Sequence, residues 1–213
     1  MKNAIIFLHG NLSDTSSIRN FLSEDSLILC ADGGAEHARK IGLVPDVVIG
    51  DFDSISQSDR ALLEEKKVTC ISYPREKDYT DAELAVRYAV DRGADEIIIT
   101  GLLGDRVDHM TANMFFLAEL SAEKDIRIIE RDQEIRFVDR VIEITGKKGD
   151  EISLVPIKSD CQGITTEGLY YPLSDAALPL GSTRGISNVM LSHKAKVTVT
   201  QGVLMVVHRR MRY

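Results

Sequence analysis

Residues 47–55 read VVIGDFDSI, an apolar run closed by a glycine and followed by two aspartates one residue apart, Asp51 and Asp53. Short, β-branched and unbroken, the run has the character of a strand buried on both faces, as in a parallel sheet covered by helices. Comparable runs flank it: AIIFL from Ala4, LILCA from Leu27, VTCIS from Val68, EIIIT from Glu96 and IRIIE from Ile126. Helical patterns lie between them. In TDAELAVRYAVDRG, Leu84, Ala85, Tyr88 and Ala89 form one apolar stripe, Thr80 and Glu83 have capping-box spacing, and Gly93 supplies a stop. HMTANMFFLAELSAEK, from His109, is another helix. This alternation predicts a Rossmann-like α/β domain, a mainly parallel sheet flanked by helices.

After about Asp132 the helical period disappears. IRFVD, VIEIT, EISLVP, KVTVT and VLMVVH are short strands separated by turn signals such as Gly146 to Asp150 and Gln201-Gly202. They predict a smaller all-β domain, an antiparallel sandwich or barrel. The expected organisation is therefore residues 1–131 as an α/β domain and 132–213 as a β domain, closely packed because no Pro/Gly/Ser-rich linker joins them. The net charge of −7 argues against a general nucleic-acid binder but not against a nucleotide, which backbone N–H groups and a divalent cation can hold. The opening MKNAIIFLHGN is too short in its apolar part for a signal-peptide core, and no segment approaches the roughly 20 apolar residues that span a bilayer. Cys30, Cys70 and Cys161 have no metal-ligand spacing. Cys30 and Cys70 read as buried thiols, and a reducing cytoplasm is the expected compartment.

Ligands of open parallel sheets bind beyond the carboxyl ends of the strands, so the residues after each run test for a site. The exits are HGNLSD, DGGAEH, DFDS, YPREKDYTD and GLLGDRVDH. Glycines, aspartates and short polar residues follow five runs in succession, which makes one edge of the sheet a coherent site. Taken singly, Asp51 and Asp53 fit turn chemistry, and Asp78 and Asp81 fit the first turn of a helix. Two acidic pairs on one edge favour a hard divalent cation with oxygen ligands, Mg²⁺, which offsets their mutual repulsion. Gly33 and Gly34 stand at a strand-to-helix turn, where the backbone can approach a phosphate or simply turn tightly. Arg106 has the character of a phosphate clamp, with Asp108 and His109 opening a helix; a cap and a surface arginine is the alternative. GSTRGISN, 181–188, is a polar segment able to hydrogen-bond a small organic molecule, or a plain inter-strand loop. EGLYYPL, 167–173, offers aromatic surface unless its tyrosines are core. His9, His37, His193 and His208 show no ligand spacing and read as structural.

GDFDS, KDYTDAELAV, GDRVDH, GLYYPL and GSTRGISN occur in the order seen in thiamine pyrophosphokinases (thiamine diphosphokinases), and the chain resembles that family over nearly its whole length. The resemblance implies an α/β domain followed by a β-sandwich, assembled as a homodimer. It also implies transfer of pyrophosphate from ATP to the hydroxyethyl group of thiamine. ATP and Mg²⁺ would lie on the α/β domain, with thiamine between that domain and the partner subunit's sandwich. By the same resemblance Asp51, Asp53 and Asp81 are metal-linked carboxylates with Asp78 close by; in the mechanism this suggests, Asp78 or Asp81 accepts the hydroxyl proton or serves as a ligand. Lys77 and Arg106 neutralise phosphates, Asp32, Gly33, Thr80, Asp108 and His109 complete the nucleotide side, and Ser187 and Asn188 fall on the thiamine side. The chain departs from the family pattern at Asp105, at Val189, in the His9-Gly10-Asn11 opening and in having no tryptophan. Two competing readings are a haloacid-dehalogenase-like phosphohydrolase built on DFDS, and a non-catalytic thiamine or nucleotide sensor.

Overall fold

The computed structural model describes residues 3–12 and 16–211; Ser13 and Asp14 of the first exit, and Met1 and Lys2 of the opening, lie outside them. Two compact units are present. One comprises Met1–Phe116 with Lys124–Arg131, the other Leu117–Glu123 with Asp132–Tyr213.

The first unit carries β1 (Asn3–Phe7), β2 (Leu27–Ala31), β3 (Val47–Gly50), β4 (Thr69–Ser72), β5 (Glu96–Thr100) and β6 (Asp125–Glu130). All of their pairings are parallel, in the order β6-β5-β1-β2-β3-β4. Each expected apolar run is one of these strands. Ile5 of β1 stands between Ile28 and Ile98, and Ala4 to Phe7 are wholly buried. Burying such side chains is worth roughly 1.5–3 kcal/mol each, so the centre of the sheet dominates the stability of this unit. The edge behaves differently. β4 has one neighbour, and Thr69, Cys70 and Ser72 are exposed. Cys70, expected to be buried, is therefore an exposed thiol, whereas Cys30 on β2 is fully buried.

The helices are α1 (Gly34–Lys40), α2 (Gln57–Glu65), α3 (Asp81–Asp91) and α4 (Val107–Leu120), with a 3-10 helix at Ser16–Phe21. Thr80 caps α3, its hydroxyl accepting the Glu83 N–H at 3.1 Å. The box is half formed, because the Glu83 carboxylate turns to Arg87 one helical turn on. Gly93, at φ +81°, ends the helix as expected.

Strand order sets the position of any ligand. The chain steps outward from β1 to β4 and then returns to the far side of β1 as β5, so the order reverses between β1 and β5. That reversal leaves the crevice of an open α/β sheet at the carboxyl ends of these strands. Beyond them the two exits are stitched together: Leu8 N–H donates to Thr100 O, Gly10 N–H to Gly101 O and Asn11 N–H to Leu103 O, at 2.7–2.8 Å. Gly10 is required for this approach, since a Cβ there would lie 2.3 Å from both Gly101 O and Leu103 O.

The second unit is all β apart from its helical segment. β7 (Gln133–Val138), β8 (Val141–Thr145), β9 (Glu151–Pro156), β10 (Cys161–Glu167), β11 (Ala176–Leu178), β12 (Asn188–Val189), β13 (Lys194–Thr198) and β14 (Leu204–Arg209) form antiparallel ladders in the orders β12-β9-β14-β7 and β11-β10-β13-β8. One apolar cluster draws on both ladders, with Ile152, Leu154, Leu204 and Val206 from the first and Ile142, Ile144, Ile164 and Val197 from the second. Alternation along β8 and β9 puts every second residue into it. β10 was not legible as a strand: CQGITTE has no apolar run, and its pairing with β11 shifts register between Cys161 and Ile164. Beneath this fold a buried His208 Nε2 meets Asp150 Oδ2 at 2.9 Å, which fits the structural reading of His208. Burial acts to raise the Asp150 carboxyl, but hydrogen bonds from His208, Lys147 N–H and Met211 N–H hold it below its ordinary value.

Replacing Gly10 by Ala forces the two exit loops apart or strains them. Overpacking of this kind costs about 1–3 kcal/mol, so G10A should melt several degrees below the parent in thermal unfolding. An unchanged Tm would show that the stitched approach of β1 and β5 exits is not required.

Candidate active site

A cleft of about 780 Å³ opens in the first unit, floored by the β1 and β5 exits. Its lining includes Asp32 after β2, Asp51, Asp53 and Ser54 after β3, Arg75 and Lys77 to Asp81 ahead of and into α3, and Arg106, His109 and Asn113 of the α4 region. That volume suits a nucleotide-sized ligand. Of the residues singled out in the sequence, Asp32, Asp51, Asp53, Lys77, Asp78, Thr80, Asp81, Arg106 and His109 all line this one cleft.

Local backbone geometry aims the acids. Asp32 and Phe52 adopt left-handed conformations, φ +46° and +64°. An aspartate tolerates this region; a phenylalanine there is a strained exception held by its surroundings. Phe52 is half-buried against the core, and Arg60 donates to its carbonyl at 2.7 Å. The turn brings the Asp53 N–H back to Asp51 Oδ1 at 3.1 Å. That N–H is the main cause of a lowered Asp51 carboxyl, with Lys77 and Arg75 adding to it. Asp32 is shifted the other way, first by burial and then by the charges of Asp51, Asp53 and Asp81, against a hydrogen bond from Ser54.

Asp32, Asp51 and Asp53 each bring one carboxylate oxygen within 4.8 Å of the others. An all-oxygen set of this size suits a hard divalent cation. Asp32 Oδ1 supports the fit, being buried with no hydrogen-bond partner among the described residues. Asp81 is engaged elsewhere: Lys77 Nζ lies 2.9 Å from its Oδ1 as an ion pair, without hydrogen-bond alignment. Arg106 is likewise occupied, its guanidinium forked onto Asp108 at 2.6 and 2.9 Å, which drives the Asp108 carboxyl strongly down.

Two expected phosphate contacts lie outside the lining. Asp108 faces Arg106 on the exposed side of α4. At Gly33 the space a side chain would take is filled by the His9 ring, 2.5 Å from a Cβ placed there, so this glycine serves packing against the β1 exit. His37 continues that support, its Nε2 lying 2.9 Å from Gly10 O, and burial holds its ring below the ordinary imidazole value. His9, read as structural, lines the cleft, as do Asn11 of the departing opening and Arg75 and Asn113, which carry no assigned role in the sequence reading. His9, Asn11 and Arg75 stood within the quoted exits, while Asn113 sits inside a helix and carried no signal. The two departures at Asn11 and Asp105 meet, Asn11 Nδ2 donating to Asp105 Oδ1 at 2.7 Å.

Ser187 and Asn188 belong to the second unit. Ser187 is left-handed, φ +56°, and its N–H donates to the Ser153 hydroxyl at 3.0 Å. Asn188 is buried, and its amide binds the Tyr171 backbone both ways, accepting from N–H at 2.9 Å and donating to the carbonyl at 2.7 Å. It thereby fixes Tyr170 and Tyr171, which pack edge to face and are 61% and 63% exposed; they are not core.

A parallel sheet with a cleft of acids and cations at the carboxyl ends of its strands, in one chain with an antiparallel β unit, defines an α/β protein with a second, all-β part. Residues 18–129 match the family described as thiamin pyrophosphokinase, catalytic domain, and residues 133–204 match thiamin pyrophosphokinase, vitamin B1 binding domain. The chain belongs to the thiamine pyrophosphokinase family. It is 29% identical over 210 residues to a thiamine pyrophosphokinase of Bacillus subtilis (strain 168), covering 97% of this chain and 98% of the relative. The crystal structure of a Bacillus subtilis thiamine pyrophosphokinase superimposes with a TM-score of 0.89 at 27% identity, over 99% of this chain and 100% of that one. One from Geobacillus thermodenitrificans gives 0.85 at 25%, over 99% and 98%. The mixed α/β architecture with a second, antiparallel β domain is thus the one expected.

Behind the cleft floor, Glu130 at the end of β6 is 2% exposed and accepts N–H bonds from Leu102 and Leu103. Burial pushes its carboxyl from 4.5 up to about 7, against the N–H groups of Leu102, Leu103 and Gly101. An acid whose folded pKa is raised favours the fold while protonated. Stability should therefore fall as pH rises from the ordinary carboxylate range through about 7, by on the order of 3 kcal/mol. Glu130→Gln, which keeps an acceptor for Leu102, should flatten that decline in Tm between pH 5 and 8. The same slope in the variant would remove Glu130 as its source.

Proposed function

We propose that this chain transfers pyrophosphate from ATP to the hydroxyethyl oxygen of thiamine, releasing AMP, as a cytoplasmic homodimer. The observation that carries the reading is the cleft itself, where three carboxylates lie within 4.8 Å of one another, beyond the carboxyl ends of β2 and β3, with Arg75 and Lys77 in the same lining. The names of the relatives support the reaction. Residues 1–131 form the catalytic domain in this reading, and 132–213 the thiamine-binding and dimerisation domain.

Asp32, Asp51 and Asp53 would hold Mg²⁺, which when bound supplies charge neutralisation along the polyphosphate. Asp81, expected in that set, is the counter-ion of Lys77 and keeps the ammonium in the cleft. Lys77 and Arg75 face the polyphosphate as cations, and Arg106 joins them by exchanging Asp108 for a phosphate oxygen. Positioning and charge stabilisation of this kind are most of what phosphoryl chemistry asks of a protein. The thiamine hydroxyl attacks the β-phosphorus in line and AMP departs. Its proton goes to Asp78 or Asp81; Asp78 is favoured because it has no ion pair or hydrogen bond among the described residues. On the thiamine side, Tyr170 and Tyr171 offer exposed rings, with Asn188 positioning them and Ser187 adjacent. Three free cysteines accord with a reducing compartment, and among the described residues no helix is long and apolar enough to cross a membrane.

Incubation with ATP, Mg²⁺ and thiamine, followed by chromatography, should yield AMP and thiamine diphosphate in equal amounts, only when all three are present. Asp53→Ala should lower kcat at least a hundredfold with an unchanged circular-dichroism spectrum. Thiamine-independent phosphate release would favour a hydrolase, and binding without turnover a sensor; ADP with thiamine monophosphate would replace the mechanism.

A further inference from the structure

Asn113 is 7% exposed, yet it lines the cleft together with His109 and Met110 on the same face of α4. Its oxygen is engaged. The Thr80 hydroxyl donates to Asn113 Oδ1 at 2.8 Å while accepting the Glu83 N–H at 3.1 Å. In this chain of bonds the hydroxyl serves as acceptor to the helix and as donor to the Asn113 oxygen, which turns the amide nitrogen the other way. The Nδ2 group is therefore left toward the cleft, and it has no hydrogen-bond partner among the described residues. An amide donor at the wall of the cleft, with its oxygen already engaged, is placed to donate to an acceptor on a ligand.

We propose that Asn113 is a neutral hydrogen-bond donor to the phosphate chain of the bound nucleotide, with Thr80 as the positioning residue that orients its amide. The inference rests on the cleft being the ATP site. Thr80 was expected to contact phosphate itself; its single proton is already directed to Asn113, so the contact passes one residue further. An anionic acceptor on the ligand fits this position. The amide lies against the N-cap of α3, whose first turn (Asp81, Ala82) also lines the cleft, and a helix N-terminus favours negative charge. Lys77 and Arg75 face the same space. A neutral donor adds grip on an oxygen without adding another cation beside Arg75, Lys77 and Arg106.

The test compares the full-length parent with Asn113→Leu, which matches the amide in shape and carries no charge, Asn113→Asp, which still accepts from Thr80, and the pair Thr80→Ser and Thr80→Val. Binding of MgATP, Mg-pyrophosphate and adenosine is measured by calorimetry, and KM for ATP and thiamine by steady-state kinetics. Both Asn113 variants should weaken MgATP and Mg-pyrophosphate at least tenfold, while adenosine affinity and thiamine KM stay within twofold. T80S should bind as the parent does, and T80V should show an intermediate loss confined to the phosphate ligands. Unchanged pyrophosphate binding in N113L, a loss in N113D alone, an equal loss of adenosine, or a change in thiamine KM alone would each overturn the assignment. A parent protein that binds MgATP equally well with Lys77→Ala would instead overturn the placing of ATP in this cleft, and the role of Asn113 with it.

Discussion

Like charges held close together are the constraint around which the first unit is organised. Asp32, Asp51 and Asp53 converge within 4.8 Å, and such a cluster is unfavourable unless something offsets it. The offsets are visible in the surroundings. An N–H from Asp53 and the charges of Lys77 and Arg75 lower the Asp51 carboxyl, while Asp32 is raised first by its burial and then by its neighbours' charges. Strained backbone at Phe52 and a left-handed Asp32 maintain the convergence. Strain and repulsion gathered at one edge of a well-packed sheet are typical of functional sites.

The floor beneath that cluster is built from backbone rather than side chains. N–H and carbonyl groups of the β1 and β5 exits bond directly across Gly10 and Gly101, Glu130 gathers the β5 exit from behind, and His37 holds Gly10. Small residues permit the approach, and buried polar groups with specified partners make it rigid. In the second unit the same device recurs on a smaller scale, where the buried Asn188 amide grips the backbone of Tyr171 and leaves two rings on the surface.

Much of this was legible in the chain. The strands of the parallel sheet, the cap and stop of α3, and the repeated glycine and aspartate exits are local patterns, because a strand buried on both faces must be apolar throughout and a helix must be capped. The exposed Cys70 was not legible, since an edge strand and a central one share the same residues and differ only in neighbours. Nor was β10, which packs one face through Cys161, Ile164 and Thr166 rather than presenting a run.

The division has one physical cause. The sequence by itself determined the strands of the parallel sheet, the cap and stop of α3, the change from α/β to all-β and the acidic residues at the strand ends, because each depends on contacts within a few residues. Only the tertiary structure decided that β5 returns beside β1, and that Asp32 joins Asp51 and Asp53 while Asp81 pairs with Lys77. It also set Gly33 against His9 and turned the amide of Asn113 through Thr80. Those outcomes depend on which distant groups compete for the same charge, hydrogen bond or volume, and that competition exists only once the sheet has assembled.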